Sequence, residues 1–379
     1  MSGQHRPRGL AVTRLTLSDF RCYPFLRLDC DTRPVVLTGP NGAGKTNILE
    51  ALSFLAPGRG LRRAKLSEVA RNEAGEGAPW AVAVHLSRPD GPLDVGTGRE
   101  AGSERRVVRI DAQPARSQSA LSEVVSALWL TPAMDRLFTE GTSGRRRFLD
   151  RLVLGLHPQH GRRATAYEHA QRERVRLLKE GRFDPSWLSV LEETMGQHGA
   201  AMAVARKDTV ARLNEACRQG IGPFPAAALT VSGSVEDSLD ALPAEQAEAR
   251  FREMLAGSRR RDAEAGGTTE GPHRSDLRVR HATKDLPAEL CSTGEQKAVL
   301  VAIVLGQARV QAMERGTPPI LLLDEIAAHL DQIRRAALFD ELCALGAQSW
   351  MSGTDDALFA EMGERGQFFR VHDAIVARA

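Results

Sequence analysis

The chain has 379 residues, enough for two domains or for one large domain carrying an insertion. Hydrophobic residues make up 42% and charged residues 26%, the balance of a soluble globular protein, and the formal net charge is only +3. The longest apolar runs, such as AVLVAIVLG at 298–306, fall far short of the roughly 20 residues that cross a bilayer, so no membrane association is expected.

The N-terminal stretch MSGQHRPRGL is basic but lacks the apolar centre of a signal peptide, so secretion is not expected. From Leu10 apolar and polar residues alternate. LAVTRLTLSDF and LRLDC predict the two strands of an antiparallel hairpin around RCYPF. PVVLTG predicts a short buried strand that runs into a Gly-rich turn. KTNILEALSFLA follows with helical spacing at Ile48, Leu49, Leu52 and Leu55. WAVAVHLSR, PLDVGTG and RRVVRIDA predict further strands separated by Pro and Gly turns.

Near residue 119 the apolar period becomes helical, through Leu121, Val124, Val125 and Leu128, then Phe148, Leu149 and Leu152. Trp187, Leu191, Met195, His198, Met202 and Ala205 predict a helix of about thirty residues with a narrow apolar seam. It is expected to pair with TAYEHAQRERVRLLKEG as an antiparallel helical hairpin that turns through GRFDPSW. AALTVSGSV reads as a strand, EQAEARFREMLAGSRRR as a helix ending near Arg261, and AEAGGTTEGPHRSD as a loop. LRVRHA returns to strand, and from 290 onward helix and strand alternate. The expected order is α/β, a mostly helical insert, then α/β again.

Cysteine and charge distribution refine this. Cys22, Cys30, Cys217, Cys291 and Cys343 stand without C-x-x-C spacing and read as reduced thiols of a cytoplasmic protein. Between Arg136 and Arg182 there are twelve Arg and Lys against five Asp and Glu, a local net charge of +7. Such a segment is either a solvated helix face or a surface for a polyanion. His157 and His160 form a lone H-x-x-H among arginines and read as surface residues rather than metal ligands.

GPNGAGKT, Gly39 to Thr46, fits G-x-x-x-x-G-K-S/T at every fixed position and lies between a buried strand and an amphipathic helix. In such a loop the backbone N–H groups and the helix N-terminus form an anion-binding concavity. Gly39, Gly42 and Gly44 permit its tight turns, with Pro40, Asn41, Ala43 and Asn47 completing the loop and the first helical turn. Lys45 is placed to neutralise the β- and γ-phosphates of ATP and Thr46 to ligate Mg2+. PPILLLDEIAAHLD is a second apolar strand, ending in Asp324 and Glu325. Asp324 is placed for Mg2+ and Glu325 for polarising the attacking water as general base. Asp324 stands 279 positions after Lys45, yet both must meet at one Mg2+. The nucleotide domain is therefore expected to be built from both chain ends, 1–118 and 263–379, around a helical insertion at 119–262.

STGEQ, beginning at Ser292, by itself reads as a helix N-cap with Glu295 three residues on. Beside the other two motifs it resembles the signature motif of ABC-type ATPases, and the split head resembles their SMC and RecF branch. DFRCY, GPNGAGKTNILEAL, GRGLRRA, WLTP, GRRRFLD, GPHRSDL, STGEQKAVL and LLLDEIAAHLD resemble, in order, the motifs of the bacterial RecF family of recombination proteins, from about residue 10 to 355. The resemblance implies a P-loop ATPase head with an inserted helical arm, and an ATP-gated homodimer. In that arrangement Ser292, Gly294 and Gln296 of one copy meet the γ-phosphate held by Lys45 and Thr46 of the other, which makes Ser292 part of the catalytic set with Lys45 and Glu325. Asp331 resembles the residue of a loop that crosses the dimer interface, and Arg21 a nucleotide-proximal arginine. Arg59 and Arg62 read either as phosphate or DNA contacts or as a solvated loop.

Two positions depart from the family pattern. Ala133 and Met134 stand where an acidic pair is usual, leaving Asp135, so no nucleotide-sensing role is placed there. Ser352 or Thr354 stands where ABC heads often carry a switch histidine. His273, in GPHRSD, is expected to be structural. The resemblance further implies binding of duplex DNA near junctions with single strands, and cooperation with RecO and RecR proteins in loading recombinase. Arg145, Arg146, Arg147, Arg162, Arg163, Arg172, Arg174 and Arg176 are the candidates for a DNA backbone surface. Two other readings are an ABC transporter ATPase subunit and an OLD-like ATPase–nuclease. The first would carry its signature about 100 residues after the P-loop, and the second needs an additional acidic metal-binding domain.

Overall fold

The computed structural model describes residues 9–75, 77–181 and 184–379. The chain divides into two units, one built from residues up to Asp135 with 219–226 and 292–379, the other from 136–218 and 227–291. The first unit opens with the hairpin of β1 (Ala11–Phe20) and β2 (Tyr23–Asp29), followed by β3 (Val35–Thr38) and α1 (Lys45–Ser53). Next come β4 (Trp80–Ser87), β5 (Leu93–Arg99), β6 (Arg106–Ile110), β7 (Gln113–Pro114), the one-turn α2 (Leu121–Val124) and β8 (Ala127–Leu130). The second unit holds α3 (Thr142–Leu156), α4 (His160–Lys179), α5 (Pro185–Arg218), β9 (Ala227–Ser232), α6 (Ser234–Ala241), α7 (Ala244–Gly257), α8 (Arg259–Ala265), β10 (Asp276–His281) and β11 (Leu286–Pro287). The chain then re-enters the first unit with α9 (Thr293–Arg315), β12 (Ile320–Leu323), α10 (Gln332–Leu345), β13 (Ser349–Gly353), β14 (Gln367–His372) and β15 (Ile375–Arg378).

Among the described residues the first unit contains two six-stranded sheets. One is antiparallel in the order β2-β1-β4-β5-β6-β7. Its strands alternate: Leu15, Leu17, Val82 and Val84 are buried, while Thr16, Ala81 and Ala83 face outward. The other has the order β15-β14-β3-β13-β12-β8, parallel from β14 to β8 with β15 antiparallel at the edge. Its inner strands β3, β13 and β12, like β8, are buried at every position. Parallel strands covered on both faces read as such continuous apolar runs. Ile48, Leu49 and Leu52 of α1 join one core with Leu15 and Leu17 of β1 and with Leu322 and Trp350 of the parallel sheet.

The limits of the insertion differ from 119 and 262. β8 lies in a stretch whose spacing looks helical, but Leu128 pairs in parallel with Leu321 of β12, which keeps it in the first unit. Four apolar residues are too few for periodicity to separate strand from helix. At the other limit β10 pairs antiparallel with β9, Arg278 opposite Thr230, and so belongs to the insertion's own three-stranded sheet β11-β10-β9. The expected helix ending near Arg261 is two helices, α7 and α8, divided at Ser258. The hairpin of α4 and the 34-residue α5 forms as expected, although residues 182 and 183 of its turn lie outside the described residues. Trp187 leaves the seam and is exposed, while Leu188 takes the buried place.

The second unit contains a charged interior. Arg174 of α4 has no exposed side-chain surface. It donates to Glu192 of α5 over 2.9 Å, to Asp262 of α8 over 2.7 Å and to the Leu255 carbonyl over 2.7 Å. It therefore ties four helices together, α4, α5, α7 and α8, and does not face DNA, contrary to the expectation from its place in the arginine-rich segment. Arg145 is likewise engaged by Asp276, and Arg176 by Glu173. A second buried guanidinium, Arg206, holds Asp150, Glu236 and the Pro272 carbonyl. His160 is fully buried against Asp150 at 2.9 Å, contrary to the surface reading of the H-x-x-H pair, because its ring closes this network. Burial alone would raise the Asp150 carboxyl, but Arg206 and His160 outweigh it and hold it well below the usual range.

His273 is structural, as expected. Its ring lies between the Tyr167 hydroxyl at 2.8 Å and the Thr268 carbonyl at 2.9 Å. The carbonyl accepts from Nε2–H, so Nδ1 accepts the tyrosine proton and the ring is neutral. Burial pushes its pKa down to about 4. Because the folded value lies below the unfolded one, the unfolded chain binds the extra proton between about pH 6.5 and pH 4, and stability contributed by His273 is lost as pH falls through that window.

Two outcomes follow for stability. Arg174→Ala should cost about 3–5 kcal/mol in urea denaturation, since it leaves buried carboxylates unpaired, while Arg172→Ala on the exposed face of the same helix should stay within about 0.5 kcal/mol. The urea midpoint of the wild-type chain should fall more steeply between pH 6.5 and 4 than that of His273→Asn, compared by the shapes of the two curves.

Candidate nucleotide site

β3 ends at Thr38, where its parallel neighbour β13 ends at Gly353, and the next strand β12 ends at Leu323. The carboxyl ends of three adjacent parallel strands therefore open on one place, where ligands bind in open α/β sheets. The loop after β3 turns through Gly39 with φ 144°, and a Cβ there would lie 2.0 Å from the Val371 carbonyl oxygen of β14. Pro40, Asn41 and Gly42 form an exposed crest, while Ala43, Gly44 and Lys45 are buried. Gly44 caps α1 with φ 111°, and a Cβ there would meet the Tyr23 hydroxyl at 2.6 Å and Cys22 Sγ at 2.9 Å. Side chains from the β1–β2 turn thus support the loop from beneath. Burial, reinforced by Cys22, raises the Tyr23 pKa well above its usual value, so it stays a neutral phenol.

Lys45 Nζ donates to the Gly39 and Pro40 carbonyls over 2.7 and 2.8 Å, which holds the ammonium along the inside of the loop. Its pKa is lowered by burial, partly offset by the negative charges of Glu325 and Asp324. Those carboxylates arrive from the far end of the chain. Thr46 Oγ1 donates to Asp324 Oδ1 over 3.0 Å. Ser352 of β13 donates to the same oxygen over 2.6 Å and accepts the Glu325 N–H over 2.9 Å. Glu325 has φ 51°, a left-handed backbone that costs a non-glycine residue about 1–3 kcal/mol and persists only where its surroundings hold it.

A second cluster lies on the flank of α1. Glu50, fully buried, accepts two hydrogen bonds from Arg21, at 2.6 and 2.9 Å, and one from Arg62 at 2.9 Å. Arg62 also donates to Asn47 Oδ1, and Asn47 Nδ2 donates to Cys22 Sγ. Arg21 and Asn47 are therefore immobilised beside the loop, and Arg62 is not merely a solvated loop residue. Glu50 gives no signal in the sequence: LEAL reads as one ordinary helical turn, and the carboxylate falls opposite the stripe of Ile48, Leu49, Leu52 and Leu55.

The signature segment is placed differently. Ser292, Thr293 and Gly294 are exposed at the N-terminus of α9, and Ser292 forms the capping box, with Glu295 accepting its N–H at 3.0 Å. Gln296 is buried on the inner side of the helix. Asp331 caps α10 by accepting the Arg334 N–H over 2.8 Å and is mostly exposed. Lys45, Thr46, Asp324 and Glu325 thus come together within the chain, while Ser292 and Asp331 bond as local helix caps. Thr354 is exposed and Ser352 is buried, which leaves Ser352 as the residue that meets the acidic pair. Among the described residues no helix is long and apolar enough to cross a membrane, and no group of three or more acidic, His or Cys side chains could hold a metal.

This sheet order, with a P-loop and an acidic strand end contributed by opposite chain ends, defines an ATPase head of the ABC/SMC type. The profile described as RecF/RecN/SMC N terminal domain matches residues 11–376. The DNA replication and repair protein RecF of Agrobacterium fabrum is 52% identical over 373 residues, covering 97% of this chain and 99% of its own length. That of Rhizobium meliloti is 51% identical over 376 residues. The chain belongs to the RecF family of DNA replication and repair proteins. A solved structure of the recombination mediator RecF with a nucleotide, in the RecFOR pathway, superposes with a TM-score of 0.84 at 20% identity, covering 99% of this chain and 100% of that one. The Smc head domain of Pyrococcus furiosus shares the fold more distantly, with a TM-score of 0.55 at 15% identity. The transporter and ATPase–nuclease readings belong to other families.

The loop geometry has a direct consequence for stability. Gly44→Ala combines a left-handed φ with two close contacts and should cost about 1–3 kcal/mol in urea denaturation. Gly294→Ala, with open space around it and helical backbone, should stay within about 0.5 kcal/mol.

Proposed function

We propose that this chain is an ATP-dependent DNA-binding protein of recombinational repair, whose heads pair around nucleotide and reopen on slow hydrolysis. The observation that carries the reading is the 3.0 Å contact of Thr46 with Asp324, which unites the P-loop of one chain end with the acidic strand end of the other. The backbone N–H groups of residues 41–46 and the Lys45 ammonium would take the ATP phosphates, since the loop presents a helix N-terminus and a buried ammonium to the same concavity. A hydroxyl and a carboxylate sharing one point suit a hard cation, so Thr46 and Asp324 are the residues that would hold Mg2+. That ion would neutralise charge on the β- and γ-phosphates. Glu325 is the general base that takes a proton from the attacking water. Arg21, fixed by Glu50, supplies a cation beside the loop.

Ser292 and Gly294 are exposed at the start of a 23-residue helix, which suits a phosphate held by a second copy of the chain. Asp331, exposed at the start of α10, would lie at the same contact. Gln296 is buried, so its part would be to hold that helix end in place. Duplex DNA near single-strand junctions is the proposed ligand of the closed pair, with RecO and RecR as partners. The names of the relatives, DNA replication and repair protein RecF and the RecFOR recombination mediator, support this reading. Of the candidate arginines, Arg147, Arg162, Arg172 and Arg176 are exposed and are the ones placed to meet phosphates.

Gel filtration should show a dimer with ATP and Mg2+ and a smaller species without them. Lys45→Ala should lose both ATP binding and dimer; Ser292→Ala should keep ATP binding and lose the dimer. A wild-type chain whose elution ignores ATP, or a Ser292→Ala variant that dimerises normally, contradicts the paired-head reading. Failure of the ATP-bound protein to retain duplex DNA at low salt contradicts the repair reading.

A further inference from the structure

Ser352 lies on the strand between β3 and β12, opposite Leu37 and beside the buried apolar run of β12. Its side chain is fully buried. A hydroxyl in such a place costs free energy unless it is hydrogen-bonded. Both of its bonds go to the acidic pair: it donates to Asp324 Oδ1 at 2.6 Å and accepts the Glu325 N–H at 2.9 Å. Thr46 donates to that same Oδ1 at 3.0 Å. Two hydroxyl protons occupy both lone-pair directions of Oδ1, so Oδ2 is the oxygen left for a cation.

The second bond acts on the neighbouring residue. Glu325 holds a left-handed backbone, φ 51° and ψ 30°, and its N–H is anchored by Ser352. Loss of that anchor frees the turn to relax toward ordinary backbone values, which rotates the Glu325 side chain away from its present direction. One serine thus fixes the rotation of the metal-side carboxylate and the aim of the general base.

We propose that Ser352 is a positioning residue for ATP hydrolysis, acting through Asp324 and Glu325 without touching nucleotide itself. The assignment rests on the ATPase reading given above. Groups that orient a metal ligand from behind typically contribute 10–100-fold to activity or metal affinity, and about that loss is expected here.

The test uses the full chain with Ser352→Ala and Ser352→Thr, reading saturated ATP turnover, ATP affinity in EDTA and in Mg2+, and thermal midpoint. Ser352→Ala should lower turnover about 10–100-fold and shrink the gain in ATP affinity that Mg2+ brings, with affinity in EDTA kept within about twofold. Ser352→Thr, which keeps the hydroxyl, should recover most of both. Wild-type turnover and an unchanged Mg2+ effect in a folded Ser352→Ala chain overturn the assignment alone. So does a loss of EDTA affinity in step with thermal stability, with no rescue by threonine, since that marks a packing role. A wild-type chain that binds no ATP overturns the nucleotide reading and this assignment together.

Discussion

The Asp324 carboxylate ties together segments encoded far apart in the chain. Thr46 reaches it from the helix that follows β3, and Ser352 from β13, while Asp324 itself directly follows β12. This is possible because β13 inserts in parallel between β3 and β12, placing Gly353 opposite Thr38 and Leu323 opposite Met351. The order of strands, more than any one side chain, brings residues 46 and 324 together. Everything proposed for the site depends on that order, since a one-residue slip would turn Ser352 to the other face and leave the acidic pair unsupported.

The insertion has a different internal logic. Its interior carries two buried guanidinium groups, Arg174 and Arg206, each held by carboxylates from separate helices, with His160 and Ser275 closing the second network. Buried ion pairs of this kind contribute little net stability compared with apolar packing, but removing one partner is costly. They also demand one geometry, because planar guanidinium groups accept few arrangements of acceptors. We infer that Arg174 sets the register of α4 and α5 against α7 and α8; a double-mutant cycle of Arg174 with Asp262 showing no coupling would contradict this.

Much of the head was legible in the sequence because its signals are local. The P-loop and the acidic strand end carry their chemistry in contiguous residues, and the period-2 alternation of β1 marks the hairpin that opens the antiparallel sheet. The remainder depends on long-range pairing. β8 is too short to declare itself, and β10 joins the insertion only through its partner β9. Arg174 and the exposed Arg172 look alike in sequence, since charge spacing does not show which arginine finds buried carboxylates. Ser352 was visible as a position of interest, but its role required the neighbouring strand to be known. Glu50 was hidden for the same reason: its partners Arg21 and Arg62 lie 29 and 12 residues away.

In the paired heads proposed above, a complete nucleotide site would take its P-loop from one copy and its signature serine from the other. In a symmetric pair, a dimer of one Lys45→Ala chain and one Ser292→Ala chain would contain one site with both defects and one site with neither. ATP hydrolysis by the two variants, separately and mixed, therefore separates a shared site from two self-contained ones. Each variant alone should be nearly inactive and the mixture should regain activity, up to about a quarter of the wild-type rate for random pairing of independent sites. A mixture no more active than either variant alone, with mixed dimers shown to form, would contradict the shared site.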